Sequence, residues 1–476
     1  MKKLNISNRR SRSNSVAVLL LTALCAVCFS SCGVYKKYQS EGQAPENLFG
    51  ESQLGDSIDL TADNPAELSW REFFTDPLLQ DLIDSALVRN GDIKSARIAL
   101  EQAQAALRAA KLAYLPSLSL APQGSLYGSV GQSGSVSGAS YTYSIPLSLD
   151  WNIGISNSVT VNKRKANAVV LQAEASRDAM QANIISTVAQ AYYQLLLLDE
   201  ELRILVQTDS LWEESLETER ALWENGKAYS TAVNQMESSS LSVKTQIIDV
   251  KRSIRSVENS LCKILCVTPQ TIERNGWMQY DFPERFGTGV PAQLLENRPD
   301  IKVADHQLEE AFYNTASAKA AFFPSFSLSG LLGWTNSGLT VTDPAGLLMK
   351  IAATLTQPIF QQGKLKAQLK IAQLSQEEKL DNYVQTVINA GNQVNEYLAD
   401  CQTAKEKDDL YRRQLAVLHD AYTGTHELMN NGKASYIEVL TAQESLLSSQ
   451  LNAAENIYNG SIAIINLYIA LGGATK

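Results

Sequence analysis

The chain has 476 residues, 45% of them hydrophobic and 19% charged, with a formal net charge of −9. That length suits two or three ordinary domains. The acidic balance argues against a nucleic-acid partner, which needs a basic face.

The first 31 residues read as a secretion signal. Lys2, Lys3, Arg9, Arg10 and Arg12 form a basic segment ahead of an apolar run, Val16 to Phe29. The run is 14 residues long, too short for a typical membrane-spanning helix. Phe29-Ser30-Ser31-Cys32 resembles the bacterial lipobox, in which the cysteine is lipidated and becomes the mature N-terminus, although Phe29 stands where leucine is usual. Cys32 is the expected lipid attachment. Loss of residues 1–31 removes five basic and no acidic residues, leaving 36 Lys and Arg against 50 Asp and Glu, a balance of −14. Four cysteines remain, Cys32, Cys262, Cys266 and Cys401, too few and too scattered for a disulfide framework. Cys262 and Cys266, four apart on a predicted helix, read as buried small hydrophobes. No histidine lies near them in sequence, so a four-ligand metal site is not expected there. No run of 18 or more apolar residues follows residue 31. Any membrane crossing must then use a β-barrel, the other structure that satisfies every backbone group.

Residues 32–67 are polar, with Gly, Pro, Asn and Asp scattered through them, and read as a tether. A helical pattern runs from Leu78 to about Leu115, interrupted at Asn90-Gly91 and stopped by Pro116. The period then changes. Tyr141, Tyr143, Ile145, Leu147, Leu149 and Trp151 alternate with Thr142, Ser144, Pro146, Ser148, Asp150 and Asn152, the pattern of a strand with one apolar face. Leu118 and Leu120 begin its partner, across a Gly/Ser-rich loop. From about Asn157 to Glu224 there is neither Pro nor Gly, which predicts one rod of roughly 68 residues and on the order of 100 Å. It ends at Asn225-Gly226-Lys227, where glycine suits the left-handed cap, and a return helix runs to about Cys266.

The second half repeats the first. Residues 92–120 and 300–328 align without a gap, and 14 of the 29 positions are identical. Phe326 and Leu328 begin one strand; Leu347, Met349, Ile351 and Leu355 alternate in another. A second rod runs from Lys364 to Asn430, broken only by Gly391 and Gly424, and ends at Asn431-Gly432-Lys433. Its return helix reaches about Leu471. The helices preceding each hairpin, Asp92–Leu115 and Asp300–Phe323, supply about what each return arm lacks. Each half therefore offers two rods of similar reach and two strands. Four strands cannot close a transmembrane barrel, whose smallest form has about eight. Open edges are not tolerated in lipid. The chain is expected to oligomerise, pooling strands into one barrel with a helical tube below.

Three segments carry a family resemblance. Trp70-Arg71-Glu72-Phe73-Phe74-Thr75-Asp76-Pro77-Leu78 resembles the opening of outer-membrane efflux lipoproteins of the NodT/OprM/CusC type, in the TolC superfamily. Leu294-Leu295-Glu296-Asn297-Arg298-Pro299-Asp300-Ile301 is similar to their mid-chain motif. Gln357-Pro358-Ile359-Phe360 followed by Gly363 is similar to the motif that opens their second long helix. The resemblance implies an α+β homotrimer: a shared 12-stranded outer-membrane β-barrel, four strands per chain, continuing into a long periplasmic α-helical barrel. The expected domains are the signal peptide 1–31, the tether 32–67, a first repeat 68–267, an equatorial connector 268–297 and a second repeat 298–476. The implied function is the exit duct of a tripartite pump, with a periplasmic adaptor and an inner-membrane transporter as partners.

The family closes the periplasmic mouth near the two Asn-Gly-Lys-Ala turns. By motif, Glu438 and Thr441 occupy positions that are acidic in relatives, and Thr441 departs from the common aspartate. Glu444 stands where some relatives carry a basic residue. The first-half counterpart of Glu438 is Ala232. Glu438 and Glu444 are the gate candidates; the plainer reading is two solvated carboxylates at a helix start. Asn225, Gly226, Lys227, Asn431, Gly432 and Lys433 form the tips, and the two lysines are candidate adaptor contacts. Tyr192, Tyr193, Trp212 and Trp223 read as packing between rods. His306, His419 and His426 form no ligand set. No GxSxG, HExxH, P-loop or GxGxxG occurs, so neither an enzyme nor a cofactor is expected. The alternatives are a duct for type I protein secretion or heavy-metal efflux, and a soluble coiled-coil scaffold, against which the alternating strand argues.

Overall fold

The computed structural model describes residues 36–40, 58–59, 68–130, 136–153, 157–276, 286–287, 297–335 and 346–475. Cys32, the signal segment, most of the tether and parts of the 268–297 connector lie outside the described residues. In chain order the elements are β1 (Ile58–Asp59), α1 (Trp70–Phe73), α2 (Pro77–Arg89), α3 (Gly91–Leu112), β2 (Ser117–Leu120), β3 (Gln123–Val130), β4 (Val136–Ile153), α4 (Ser158–Glu224), α5 (Ser230–Ile264), β5 (Phe286–Gly287), α6 (Pro299–Ala320), β6 (Ser325–Thr335), β7 (Gly346–Thr356), α7 (Lys364–Asn430) and α8 (Tyr436–Ala470). The duplication is metrical: α3 and α6 have 22 residues each, α4 and α7 have 67, α5 and α8 have 35. At about 1.5 Å per residue the long helices run roughly 100 Å.

Two compact units emerge, with boundaries inside α3, α4, α6 and α7. The first comprises Met1–Glu41, Glu101–Gln172 and Ala304–Tyr383. It holds an antiparallel sheet in the order β2, β4, β6, β7, with β3 also paired to β4. The expected partner of β4 is thus split in two. Ala121-Pro122 separates the pieces, because proline has no N–H to give the ladder, although Ala121 N–H still reaches Pro146 O at 3.3 Å. Helices α3 and α6 end at Leu112 and Ala320, three residues earlier than the pattern suggests. The prolines at 116 and 324 disfavour helical backbone before them.

Register sorts the sheet into two chemistries. Leu118 pairs Leu149, Ile145 pairs Trp334, Leu147 pairs Leu332, Trp151 pairs Leu328, and Phe326 pairs Leu355. On the other face Ser119 pairs Ser148, Ser125 pairs Thr142, Asp150 pairs Ser329, and Ser327 pairs Thr354. Period two keeps each set on its own side, apart from Leu331 opposite Ser148 and an irregularity between Tyr127 and Ser129 in β3. Leu118, Leu126, Trp334, Met349, Ile351 and Leu355 are all exposed. A water-soluble sheet would turn such a face inward.

All four helices of this unit meet the sheet at one end. Trp151 Nε1 donates to Tyr114 O at 3.0 Å and Tyr114 Oη to Thr160 Oγ1 at 3.0 Å, joining α3, β4 and α4. Gln357 Nε2 donates to Phe322 O at 3.0 Å, joining α6 to the exit of β7. Val161, Ala168, Tyr313 and Ala316 form the small core beneath, with Tyr38 of the N-terminal strap packed on it.

The second unit comprises Gly42–Leu100, Ala173–Val303 and Val384–Lys476. Its core joins Trp70, Leu79, Ile83, Ile185, Tyr192, Leu195, Leu261 and Tyr468. Each fully buried Leu or Ile there contributes about 1.5–3 kcal/mol. Asp76 fastens this core: it caps α2 through Leu78 N–H at 2.9 Å and accepts the Tyr192 hydroxyl at 2.5 Å and Asn275 Nδ2 at 2.9 Å. Arg274 ties Asp199 to Glu258 nearby.

The short helices stack end to end as the length matching predicts. Asn90 caps α3 through Asp92 N–H at 2.7 Å, and its Nδ2 donates to Ile264 O, the last residue of α5, at 3.0 Å. Arg298, before α6, donates to Ala470 O, the last residue of α8, at 3.0 Å. The two copies thus join their short helices at the same place with different side chains.

One expectation fails. Cys262 is buried, but Cys266 lies past the end of α5, exposed, with φ 53°. The error comes from extending helical packing into a terminal turn. Tyr192 and Trp212 are buried between helices, whereas Trp223, near the end of α4, is 47% exposed in the single chain.

Candidate functional site

Two regions can act on a solute: the sheet with its opposed faces, and the turns that end the long helices. Each turn is a Schellman motif. Gly226 has φ 71° and donates to Trp223 O at 2.9 Å, and Lys227 N–H reaches Leu222 O at 2.8 Å. Gly432 repeats this with φ 68°, Met429 O and Leu428 O. Asn225 and Asn431 fold their Nδ2 groups back onto Ala221 O and Glu427 O, at 2.6 and 2.8 Å. The Asn-Gly-Lys signature is therefore a helix stop: asparagine caps carbonyls, glycine takes the left-handed turn, and the lysine stays exposed.

After the turns the copies diverge. Ser435 is the N-cap of α8, and its N–H and hydroxyl both donate to Glu438 Oε2, at 2.6 and 3.0 Å. These bonds, the backbone one first, hold the exposed Glu438 carboxyl below its ordinary range. In the first copy Tyr229 stands at the N-cap without a side-chain bond, and Ala232 is buried at 1% exposure. One copy presents a carboxylate where the other presents a packed methyl. The Ser-x-x-Glu spacing is a capping-box signature, legible in sequence.

Thr441 and Glu444 have separate settings. Thr441 Oγ1 donates to Ile437 O on its own helix at 2.7 Å. Glu444 accepts from Ser239 of α5 at 3.3 Å and lines a groove of about 550 Å³ with Trp212, Ser238, Ser242 and Leu447. Glu438 and Glu444, six residues apart, differ by about 120° around the helix. They do not share one face. Tyr436 Oη meets Gln235 Oε1 at 3.2 Å, and Arg220 pairs Glu237 at 3.2 Å, so polar contacts of α5 with α4 and α8 cluster just past the turns. Gln235, Ser239 and Arg220 carry no sequence signal; only the folded pairing reveals them.

Among the described residues no group of three or more His, Cys, Asp or Glu is placed to hold a metal ion. Burial pushes the Cys401 thiol up to about 12, so it is a packing group. No described helix is long and apolar enough to cross a membrane.

The family model for outer membrane efflux proteins matches residues 82–266 and 290–473. The chain belongs to the outer membrane efflux protein family. The two matched stretches coincide with the two structural copies. Cation efflux system protein CusC of Escherichia coli is 28% identical over 463 residues, 95% of this chain and 98% of CusC. Toluene efflux pump outer membrane protein TtgC of Pseudomonas putida is 28% identical over 472 residues, 96% of this chain and 95% of TtgC. A crystal structure of CusC superposes with a TM-score of 0.81 at 26% identity, covering 93% of this chain and all of that one. This efflux protein therefore has the TolC-like α+β fold and acts as an efflux channel of the outer membrane, with a long periplasmic helical extension. Its family members are channel proteins.

Proposed function

We propose that three copies of this chain form the exit duct of a tripartite efflux pump, conducting small toxic compounds passively from the periplasm to the exterior. The sheet carries this reading. It is apolar on one face and polar on the other, and among the described residues β7 and β2/β3 are its edges, without a further strand beside them. Four strand positions are half the minimum for a closed barrel, and bare edges cannot stand in lipid. Three copies joined edge to edge give 12. Native mass spectrometry of the detergent-solubilised protein tests this: a three-chain species is expected, and a monomer as the only folded form would sink it.

Under this reading an adaptor and an inner-membrane transporter complete the pump below the turns. Lys227 and Lys433 face the adaptor, and Glu438, Thr441, Glu444 and Ala232 belong to the gate. Cys32 anchors each chain by lipid. Cys32→Ala should lose palmitate labelling, and retained labelling would remove the anchor. Metal cations are a second cargo, favoured by the likeness to CusC.

A further inference from the structure

The sheet end where the helices leave is ringed with positive charge. The four flanking helix ends, residues 104–116, 157–172, 311–324 and 357–376, total 63 residues. They contain nine Lys and Arg and no Asp or Glu, with Glu310 and Glu377 one residue beyond and Asp150 on the polar sheet face at the same end, so basic residues outnumber acidic ones there in a chain with 50 acidic and 41 basic residues. Arg108 and Lys111 close α3, and Lys319, the counterpart of Lys111 in the second copy, closes α6. Lys163-Arg164-Lys165 stand in the opening turns of α4; Lys364, Lys366 and Lys370 open α7. At 1.5 Å per residue all nine lie within about 10 Å of a helix end.

Helix electrostatics alone do not explain this. Cations suit C-terminal turns, but Lys364 and Lys366 occupy a first turn, where the macrodipole disfavours them. Nor does ion pairing: Lys165 meets Glu310 at 3.8 Å, and the other eight have no ion-pair partner among the described residues. Seven of the nine are exposed, with Arg164 and Lys165 half-buried. Exposed apolar groups stand among them, Leu112, Leu115, Ile359 and Phe360. Lys319 and Lys370, together with Glu377, also line an open groove of about 540 Å³, beside the strap residue Tyr38.

We propose that this collar binds the anionic phospholipid headgroups of the leaflet through which the barrel emerges. The inference rests on barrel insertion. The apolar sheet face ends at the strand termini, and the next layer of a bilayer is its headgroup region, roughly 5–8 Å deep. Lys and Arg reach such a layer while their stems lie on apolar surface. Each basic residue near an anionic surface adds roughly fivefold in affinity, within a Debye length of about 8 Å at physiological salt.

The test uses the full chain reconstituted in phosphatidylcholine vesicles, with tryptophan fluorescence quenched by brominated phosphatidylglycerol or brominated phosphatidylcholine. Trp151, at the collar end of the apolar sheet face, is the reporter, read in a Trp334→Phe background because Trp334 stands at the far end of the sheet. Phosphatidylglycerol should be preferred by at least about threefold, and the preference should shrink as salt is raised. The quadruple variant K111Q/K319Q/K364Q/K370Q, which keeps five of the nine basic residues, should show a clearly smaller preference than the wild type, while K407Q/R413Q on α7 outside the collar should keep the preference unchanged. Equal quenching of the wild type by both lipids, or an unchanged preference in the quadruple variant, overturns the collar alone. No quenching by either lipid overturns barrel insertion as well.

Discussion

Glu438 is where a single side chain separates two roles. Its carboxylate accepts two bonds from Ser435, so it starts α8 whatever else it does. Because its folded pKa is depressed, the cap stabilises α8 above the ordinary carboxylate range and is lost as pH falls through the lowered value. Glu72 behaves the same way on Ser69 at the start of α1. The capping role and the gating role can be told apart. Ser435→Ala weakens the cap but keeps the charge; Glu438→Ala removes both. A gate carboxylate predicts that Glu438→Ala raises single-channel conductance in planar bilayers several-fold more than Ser435→Ala. Equal effects would assign Glu438 to the helix start alone.

At the scale of elements, the junctions between short helices decide whether each half reaches the length of its long rod. Arg298 is 7% exposed and spends its guanidinium on Ala470 O, Gln393 Oε1 and Asp300. Arg298→Ala strands a helix-end carbonyl and should cost about 2–3 kcal/mol, read as a fall in denaturation midpoint. Asn90→Ala should cost about 1–2 kcal/mol, since it loses a cap and a cross-junction bond together. A loss under about 0.5 kcal/mol in both would show that apolar packing alone sets the junction. Much of this scale was legible in sequence. Pro116 and Pro324 mark the helix stops, the Asn-Gly-Lys turns mark the rod ends, and period two marks β4, because these signals act locally on backbone angles and on one face at a time. The break at Pro122 was not anticipated, although the missing N–H carries its signal. The Asn90–Ile264 and Arg298–Ala470 contacts were not legible, because their partners lie more than 170 residues apart and no local rule couples them.

For the whole molecule, cargo belongs to the pump as much as to the duct. A deletion strain should show at least about a fourfold fall in inhibitory concentration for several unrelated small toxicants, about 0.8 kcal/mol of lost protection in equilibrium terms. A panel of organic toxicants beside copper and silver salts measures it, and sensitivity to the metal salts alone would move the function to cation efflux. The sequence by itself determined the doubled architecture, the lengths of its rods, the alternating strands and the family. Those follow from periodicity, breakers and repeated motifs, which each residue carries without its distant neighbours. Only the tertiary structure decided how the short helices are joined, that Cys266 and Trp223 face outward, that Glu444 turns toward Ser239 while Glu438 turns onto Ser435, and that nine basic side chains gather at one end of the sheet. Those depend on which segments fold beside one another, and burial and charge take their meaning from that neighbourhood.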